Sequence, residues 1–525
     1  MKKLLIISFI FSLTVFSCDL FLGLLPDGGG YSTRQFWAQD LVSGNYYRLT
    51  AELLAENGKC QVWVERGSGV TESMAREIAN TYINIIYPGM MNTFGWVSNL
   101  DDEDEDGRLI LLDYPNSSHD YYNTMEIADA LADGNGKMTI LLLDIRDGFT
   151  PGNAYTAGYF YAYDLYDGAQ SNQCDMIYMD TYPSLAFNTF PSLSWESFYG
   201  TLAHEMQHLM NFVTRLITLV GAPDEDIFLT DTWLNEGLSE MAEWVYSGTP
   251  SQSRVNTYNN DSTGYIAKGD NFFSWENHYN SNIPETINTS LNDYATVNLF
   301  FNWLRIHYGN GILREISRSR YHDYRAISEL AFNLSHGGAL TRSDLTGDDR
   351  WLFLLTEWYA ANYLNNPTGV LGYGNDSVLK NVKAPYLNSN GAATWPLYPC
   401  EAVYSYSSMG RSIQSDGNGW YYGIGNNQLL DFVPAGGALL SLNIDTYIKR
   451  SGSEPAITST FVFVTGETPP VAAASVQSSN SRSALQFNGM YAISAGEMLR
   501  RNGFGRGNFD IPVRPQVIGN NIMEK

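Results

Sequence analysis

Two histidines and a glutamate lie within the five-residue segment HEMQH, at residues 204–208. On a helix, residues four apart share a face, so His204 and His208 can direct two imidazole nitrogens at one tetrahedral metal ion. Glu205 lies about 100° further round the helix. From there it can take a proton from a water on that ion without being a ligand. The pattern therefore predicts hydrolytic zinc chemistry.

A catalytic zinc site also needs a third protein ligand. The segment DTWLNEGLSEMAEW, at residues 231–244, predicts a second helix that Asp231 or Thr232 can cap. Glu236 would face the metal from the first turns of this helix. Glu240, one turn further on, would accept the outer N–H of a ligand histidine and fix its tautomer.

Both segments also have a plain structural interpretation. Leu202, Met206 and Leu209 give the HEMQH helix an ordinary buried apolar face. Glu243 beside Glu240 would suit a solvated acidic face. Because two independent patterns occur in the order that a zinc site requires, we favour the metal site. Its predicted members are the ligands His204, His208 and Glu236, the general base Glu205, and Glu240 behind the ligands.

The composition limits the partners of the chain. Its 525 residues carry a formal net charge of −25 and are 44% hydrophobic. A chain of this size and composition forms packed cores in two or three domains. Its negative charge opposes binding to nucleic acid or to an anionic membrane surface.

The first 20 residues, MKKLLIISFIFSLTVFSCDL, have the pattern of an export signal. Their apolar run is shorter than the roughly 20 residues that span a bilayer. The stretch VFSC resembles a bacterial lipobox, which would make Cys18 the lipidated first residue of the mature protein; a plain secretory signal is the alternative. We therefore expect an extracytoplasmic protein, lipid-anchored to a bacterial cell envelope or secreted, whose contact with the membrane is only through that anchor.

The order of patterns along the chain predicts an α+β fold. Strand patterns flank the turn at Asn57-Gly58, a helix is expected from Thr71 to Pro88, and runs of Leu and Ile predict strands buried on both faces. Helical, aromatic segments dominate residues 291–364, and short alternating runs follow. The predicted domains are a signal peptide at 1–17, a tether at 18–44, a peptidase domain at 45–370 and a β-rich domain at 385–525.

The motifs resemble those of known zinc peptidases. HEMQH followed by WLNEGLSEMAE is similar to the gluzincin pattern, in which a glutamate on a second helix completes HExxH. Over residues 45–365, DMIYMDTYP, LAHEMQHLMNF, TWLNEGLSEMAE and YATVNLFFNWL resemble the hyicolysin family of neutral zinc metallopeptidases. This resemblance implies a zincin-like sheet with an active-site helix and a helical lower lobe, together with the ligands and base named above.

The segment at residues 123–127 bears on the substrate specificity of the predicted enzyme. NTMEI, at residues 123–127, lacks the glycine and asparagine of the Gly-x-Met-Glu-Asn motif with which aminopeptidase N relatives bind a free amino terminus. An endopeptidase is therefore preferred over an aminopeptidase.

Tyr294 resembles the tyrosine that stabilises the oxyanion in the aminopeptidase N family, although core packing is an alternative and His278 and His307 are rival donors.

A second cation site is expected in DDEDEDGRLILLD. Asp102, Asp104 and Asp106 alternate, and Asp113 stands at the twelfth position, which suits Ca²⁺. A charged hairpin turn is the alternative.

Taken together, the sequence predicts a surface-anchored zinc endopeptidase acting on extracellular proteins or peptides. A lipoprotein adhesin or scaffold on a metalloprotease fold is the rival class, but all four catalytic positions are filled.

Overall fold

The computed structural model describes most of the first 385 residues and several short strands beyond them. The described ranges are 30–95, 136–165, 169–218, 230–261, 264–269, 271–277, 290–330, 338–341, 347–385, residue 400, and the strands named below that follow it.

A six-stranded mixed sheet forms the first part of the fold. Its strands, in chain order, are β1 (Thr33–Gln39), β2 (Tyr46–Glu56), β3 (Cys60–Glu65), β4 (Met138–Leu143), β6 (Gly158–Phe160) and β7 (Met176–Asp180), with a short β5 (Tyr155–Thr156) before β6. The spatial order is β1-β2-β3-β4-β7-β6. The β3, β4 and β7 strands run parallel, and the other pairs are antiparallel. Strand β6 thus lies at the end of this sheet.

The strand predictions that fall on described residues agree with this sheet, with one exception, and the Leu and Ile run at residues 109–112 lies outside the described residues. The turn at Asn57 joins β2 to β3, and its side chain accepts hydrogen bonds from the backbone N–H groups of Lys59 and Cys60. Every residue of β4 is buried, as the run of Leu and Ile predicts. The exception is β1, which lies in the segment assigned to the tether. Residues 33–39 form β1, because their alternating buried side chains pair with β2 in register.

The helical run after β3 continues beyond the predicted end. Helix α1 (Glu72–Thr81) begins at Thr71, whose hydroxyl accepts from the backbone N–H of Met74. A π-helical segment, Tyr82–Ile86, then leads into α2 (Tyr87–Thr93). Pro88 was expected to end the helix. It instead lies in the first turn of α2, where no N–H is needed for an intrahelical bond.

Seven helices among the described residues follow the sheet. They are α3 (Trp195–Thr218), α4 (Thr232–Ser247), α5 (Gln252–Asn260), α6 (Ser290–Tyr308), α7 (Gly311–Ser317), α8 (Arg325–Ser328) and α9 (Gly347–Leu364). Asp231 holds the N-cap position of α4 as expected, but its side chain makes no capping bond and contacts His322 instead.

The sheet and the helices share one core. On one face of the sheet, Val62, Ile140 and Ile177 belong to the same apolar cluster as Leu202 and Met206 of α3. The opposite face carries a second cluster that includes Trp63, Leu141 and Tyr178. Burial of the first face therefore fixes α3 against the sheet.

A glycine lets α4 approach α6 closely. A Cβ atom at Gly237 would overlap the aromatic ring of Phe301, which is fully buried. Since Gly237 directly follows Glu236, this close contact also determines how near Glu236 lies to α6. The segment NEG therefore combines a charged residue with the small residue that allows its helix to pack.

The fold is mixed α+β, as predicted, and its sheet and helices are compatible with a metallopeptidase. Beyond Cys400, β8 (Ala402–Ser405), β11 (Ala438–Leu442), β12 (Ser459–Phe463), β10 (Trp420–Ile424) and β9 (Gln414–Ser415) pair in that order, and β13 (Val517–Ile518) pairs with β5. The separate β-rich domain over 385–525 stays a prediction, as do the other domain limits. Among the described residues, no helix combines the length and apolar character needed to span a membrane.

Candidate metal centre

Helix α3 carries the HEMQH segment into the interior. Ser194 caps the helix through a hydrogen bond from the backbone N–H of Ser197 to its hydroxyl. His204, Glu205 and His208 are all buried, with at most 1% of each residue exposed. Charged and polar groups at this depth need partners or a metal ion, because burial without them is costly.

The three predicted ligand atoms converge between α3 and α4. Oε2 of Glu236 lies 3.2 Å from Nε2 of His204 and 3.5 Å from Nε2 of His208. Ligand atoms about 2.0–2.2 Å from a tetrahedral zinc ion stand about 3.3–3.6 Å from one another. His208 Nε2 is also buried without a hydrogen-bond partner. The three groups therefore fit the spacing of a tetrahedral zinc site.

Glu205 is also close enough to count as a ligand by distance alone. One of its carboxylate oxygens lies within 4.8 Å of a ring nitrogen of each histidine. Glu236 is nevertheless the better third ligand, because a single oxygen atom of its side chain approaches Nε2 of both His204 and His208 at ligand spacing. Glu205 remains beside the centre, in the position expected of a base.

The outer nitrogen of each histidine has its own partner. Nδ1 of His204 lies 3.1 Å from Oε1 of Glu243. Nδ1 of His208 lies 3.1 Å from the hydroxyl of Ser239, which donates its own proton to Gln207. That hydroxyl therefore accepts from Nδ1–H of His208, and both histidines present Nε2 to the centre.

Glu240 does not make the contact predicted for it. Its carboxylate accepts two hydrogen bonds from Arg254, at 2.6 and 3.0 Å, and one from Nδ2 of Asn298 at 2.9 Å. Glu243, one turn further along α4, holds the outer nitrogen of His204 instead. Glu243 was compatible with a solvated face in the sequence, yet it is only 23% exposed.

The charges of the centre are strongly coupled. Burial raises the pKa of Glu236, but the two histidines outweigh it and lower that pKa to about 2. Burial lowers the pKa of His204, while Glu236 and Glu243 raise it well above its usual value. The short contact between Nε2 of His204 and Oε2 of Glu236 is the one that a metal ion would replace.

Tyr294 lies beside the metal centre, whereas His307, one of the two other candidate oxyanion donors, does not. The ring centroid of Tyr294 is 6.2 Å from that of His204, and only 2% of the residue is exposed. His307 is 13 residues further along α6, which places it about 20 Å away along the helix axis. Its Nε2 lies 2.7 Å from the carbonyl oxygen of Gly372. His278, the other rival, lies outside the described residues.

The other predicted sites also lie outside the described residues. These are the lipidation site Cys18 and the calcium residues Asp102, Asp104, Asp106 and Asp113. No observation on the described part of the chain supports calcium binding. Cys60, Cys174 and Cys400 are buried free thiols.

The fold and the site, an HExxH helix against a mixed sheet with a glutamate from a second helix beside it, have the arrangement expected of a zinc metallopeptidase. The chain is 33% identical over 275 residues to the neutral metalloprotease ShpI of Staphylococcus hyicus, a match covering 52% of this chain and 51% of ShpI. This similarity supports a relationship to neutral zinc metallopeptidases. The chain spans about half the length of that relative in the match. No protein-family model matches the sequence.

Proposed function

We propose that the protein is a zinc-dependent endopeptidase that hydrolyses peptide bonds of extracellular proteins or peptides. The observation that carries this proposal is the approach of one Glu236 oxygen to Nε2 of both HEMQH histidines at the spacing of zinc ligands. The relationship to a neutral metalloprotease supports the same reaction class.

The residues fit zinc rather than a harder cation, because two imidazoles and one carboxylate form a familiar zinc donor set. His204, His208 and Glu236 would hold the ion. When bound, zinc would supply Lewis acidity, polarising a carbonyl oxygen and lowering the pKa of water. The surrounding protein fixes the ligands through Glu243 and Ser239.

Glu205 is suited to move the proton. It is fully buried, and neither of its carboxylate oxygens has a hydrogen-bond partner. Burial raises the pKa of Glu205, and the nearby His208 and His204 partly offset this rise. The backbone N–H of Phe160 also lowers that pKa, although it does not meet the geometry of a hydrogen bond. A carboxylate with a raised pKa accepts a proton from the attacking water and returns it to the leaving amine.

Strand β6 offers a place for the substrate backbone. Phe160, its last residue, lies against Glu205, and β6 pairs only with β7 among the described strands. An extended peptide can add to such an edge through main-chain hydrogen bonds. Binding of this kind does not require a free terminus of the substrate chain, which suits cleavage within a polypeptide.

The acidic residues of α4 support an endopeptidase over an aminopeptidase. An aminopeptidase needs a carboxylate to hold the free amino group of its substrate. Glu240 is engaged by Arg254 and Asn298, and Glu243 by His204. Neither is therefore available as an anchor for a substrate ammonium group.

The predicted location agrees with a substrate outside the cytoplasm. The export signal and Cys18 would place the enzyme on the cell envelope through a lipid, or release it by secretion, and the acidic composition argues against nucleic acid as a partner. Labelling with radioactive palmitate tests the anchor, which Cys18→Ser removes.

Metal removal tests the proposed function. We expect the purified protein to bind about one zinc per chain, to digest casein, to lose that activity on dialysis against a chelator and to regain it with stoichiometric zinc. Mock-dialysed protein is the control. Casein cleavage by protein shown to be free of metal would contradict the proposal.

The contact between Glu243 and His204 gives a second prediction. We expect Glu243→Ala to weaken zinc affinity about 10- to 100-fold, because the ring of His204 loses the acceptor that orients it. Glu243→Gln keeps an oxygen acceptor and should lose less. Competition with a chelator of known zinc affinity measures both, and an unchanged affinity in Glu243→Ala would refute this role.

A further inference from the structure

A largely buried cation, with 13% of its side chain exposed, lies next to Tyr294. The guanidinium carbon of Arg254 lies 4.8 Å from the centroid of the Tyr294 ring, over its face. Trp275 meets the same ring edge-on, with the two centroids 4.7 Å apart. Together these two side chains and the ring of His204, 6.2 Å away, define the position of Tyr294.

Arg254 is itself held rigidly. Its Nε and Nη2 donate to the two oxygens of Glu240, at 3.0 and 2.6 Å. Glu240 is fully buried and accepts a third hydrogen bond from Asn298, which lies one turn after Tyr294 on α6. A forked pair of this kind fixes the plane of the guanidinium as well as its position.

We propose that Arg254 is a positioning residue that holds the ring of Tyr294 against the metal centre. Glu240 and Asn298 anchor it there. Its contact with the ring is a cation–π interaction with a guanidinium that is largely shielded from solvent, and such contacts are stronger than fully exposed ones. The network joins α4, α5 and α6, so the relative placement of these three helices determines the position of the Tyr294 ring.

The charges around Tyr294 agree with this placement. Burial raises the pKa of the phenol, and the next largest effect comes from the carboxylate of Glu236, the proposed third ligand. Arg254 acts in the opposite direction and lowers that pKa.

The inference rests on the proposed function together with the oxyanion role that the family resemblance implies for Tyr294, and a double-mutant cycle tests it. Removing Arg254 alone would leave Glu240 buried and unpaired, which is strongly destabilising. The test variant is therefore Arg254→Met combined with Glu240→Gln. Arg254→Lys is a second variant that keeps the charge and the pair but loses the fork.

We expect the double variant to lose about 10- to 100-fold in kcat on a peptide substrate, with KM within about threefold, because a misplaced catalytic group costs rate rather than binding. When Tyr294 is already replaced by phenylalanine, the same change should cost less than about threefold. Arg254→Lys should fall between the double variant and the wild type.

Arg305→Met is the matched control. Arg305 lies on the same helix as Tyr294, donates to Asn302, and stacks on Trp244 with its guanidinium carbon 3.9 Å from the ring centroid. It is buried to a similar extent but lies away from the centre. Its removal should leave kcat within about twofold, so a comparable loss there would reveal a general effect of packing.

Crystal structures of the zinc-loaded wild type and double variant separate the two proposals. A Tyr294 ring displaced in the variant supports positioning even if neither protein cleaves peptides, a result that would refute the proposed function alone. An unmoved ring overturns the positioning role. An equal loss of kcat in the wild-type and Tyr294→Phe backgrounds overturns it as well.

Discussion

Replacement of Glu205 by glutamine is expected to leave the zinc content unchanged and to reduce kcat by about 10²- to 10⁴-fold, the range that general bases contribute. The reason is that an amide keeps the size of the carboxylate but cannot accept the proton of the attacking water. Both oxygens of Glu205 are buried without a hydrogen-bond partner, so the substitution breaks no hydrogen bond.

Zinc analysis and single-substrate kinetics on the same preparation measure this effect. Glu196→Gln is a suitable control, because Glu196 lies in the first turn of the same helix, more than two turns before the centre. It should retain activity within about twofold. If Glu205→Gln stays active, the general base is another group. If it loses zinc, Glu205 is a ligand.

Replacement of Tyr294 by phenylalanine has the second largest expected effect. We expect the fold and zinc content to persist while kcat falls by about 10²- to 10³-fold, as for the loss of one oxyanion donor. The ring remains packed by Trp275 and Arg254, so only the hydroxyl is lost. The expected change is therefore in rate rather than in stability.

Tyr308→Phe is the matched control for this prediction. Tyr308 is buried at the other end of the same helix, and its loss should leave kcat within about twofold. Urea unfolding of both variants checks stability. A Tyr294→Phe enzyme within a few-fold of wild type would make Tyr294 a packing residue and direct attention to His278.

Local patterns were sufficient for much of the fold. The all-apolar run in β4 and the cap at Thr71 act over a few residues, and the structure agrees with both. Pro88 misled because a proline in the first turn of a helix looks the same in sequence as one that ends a helix. Strand β1 was missed because its only pattern is alternation within a segment assigned to the tether.

The site was predictable where a single helix determines it. His204 and His208 share a face by periodicity alone, and Glu236, expected from the second helix, lies 3.2 and 3.5 Å from their Nε2 atoms. Glu240 and Glu243 lie close to the same face of α4, so periodicity allowed either of them to reach a histidine. Arg254 decides between them by engaging Glu240, and no local signal in the sequence reveals that contact.

The ligand set is the central claim, and anomalous diffraction at the zinc edge from crystals of the zinc-loaded protein tests it most directly. We expect one zinc ion per chain about 2.0–2.2 Å from Nε2 of His204, Nε2 of His208 and Oε2 of Glu236, with Glu205 outside bonding distance. A zinc ion bound through Glu205 in place of Glu236, or at a different set of residues, would contradict the account.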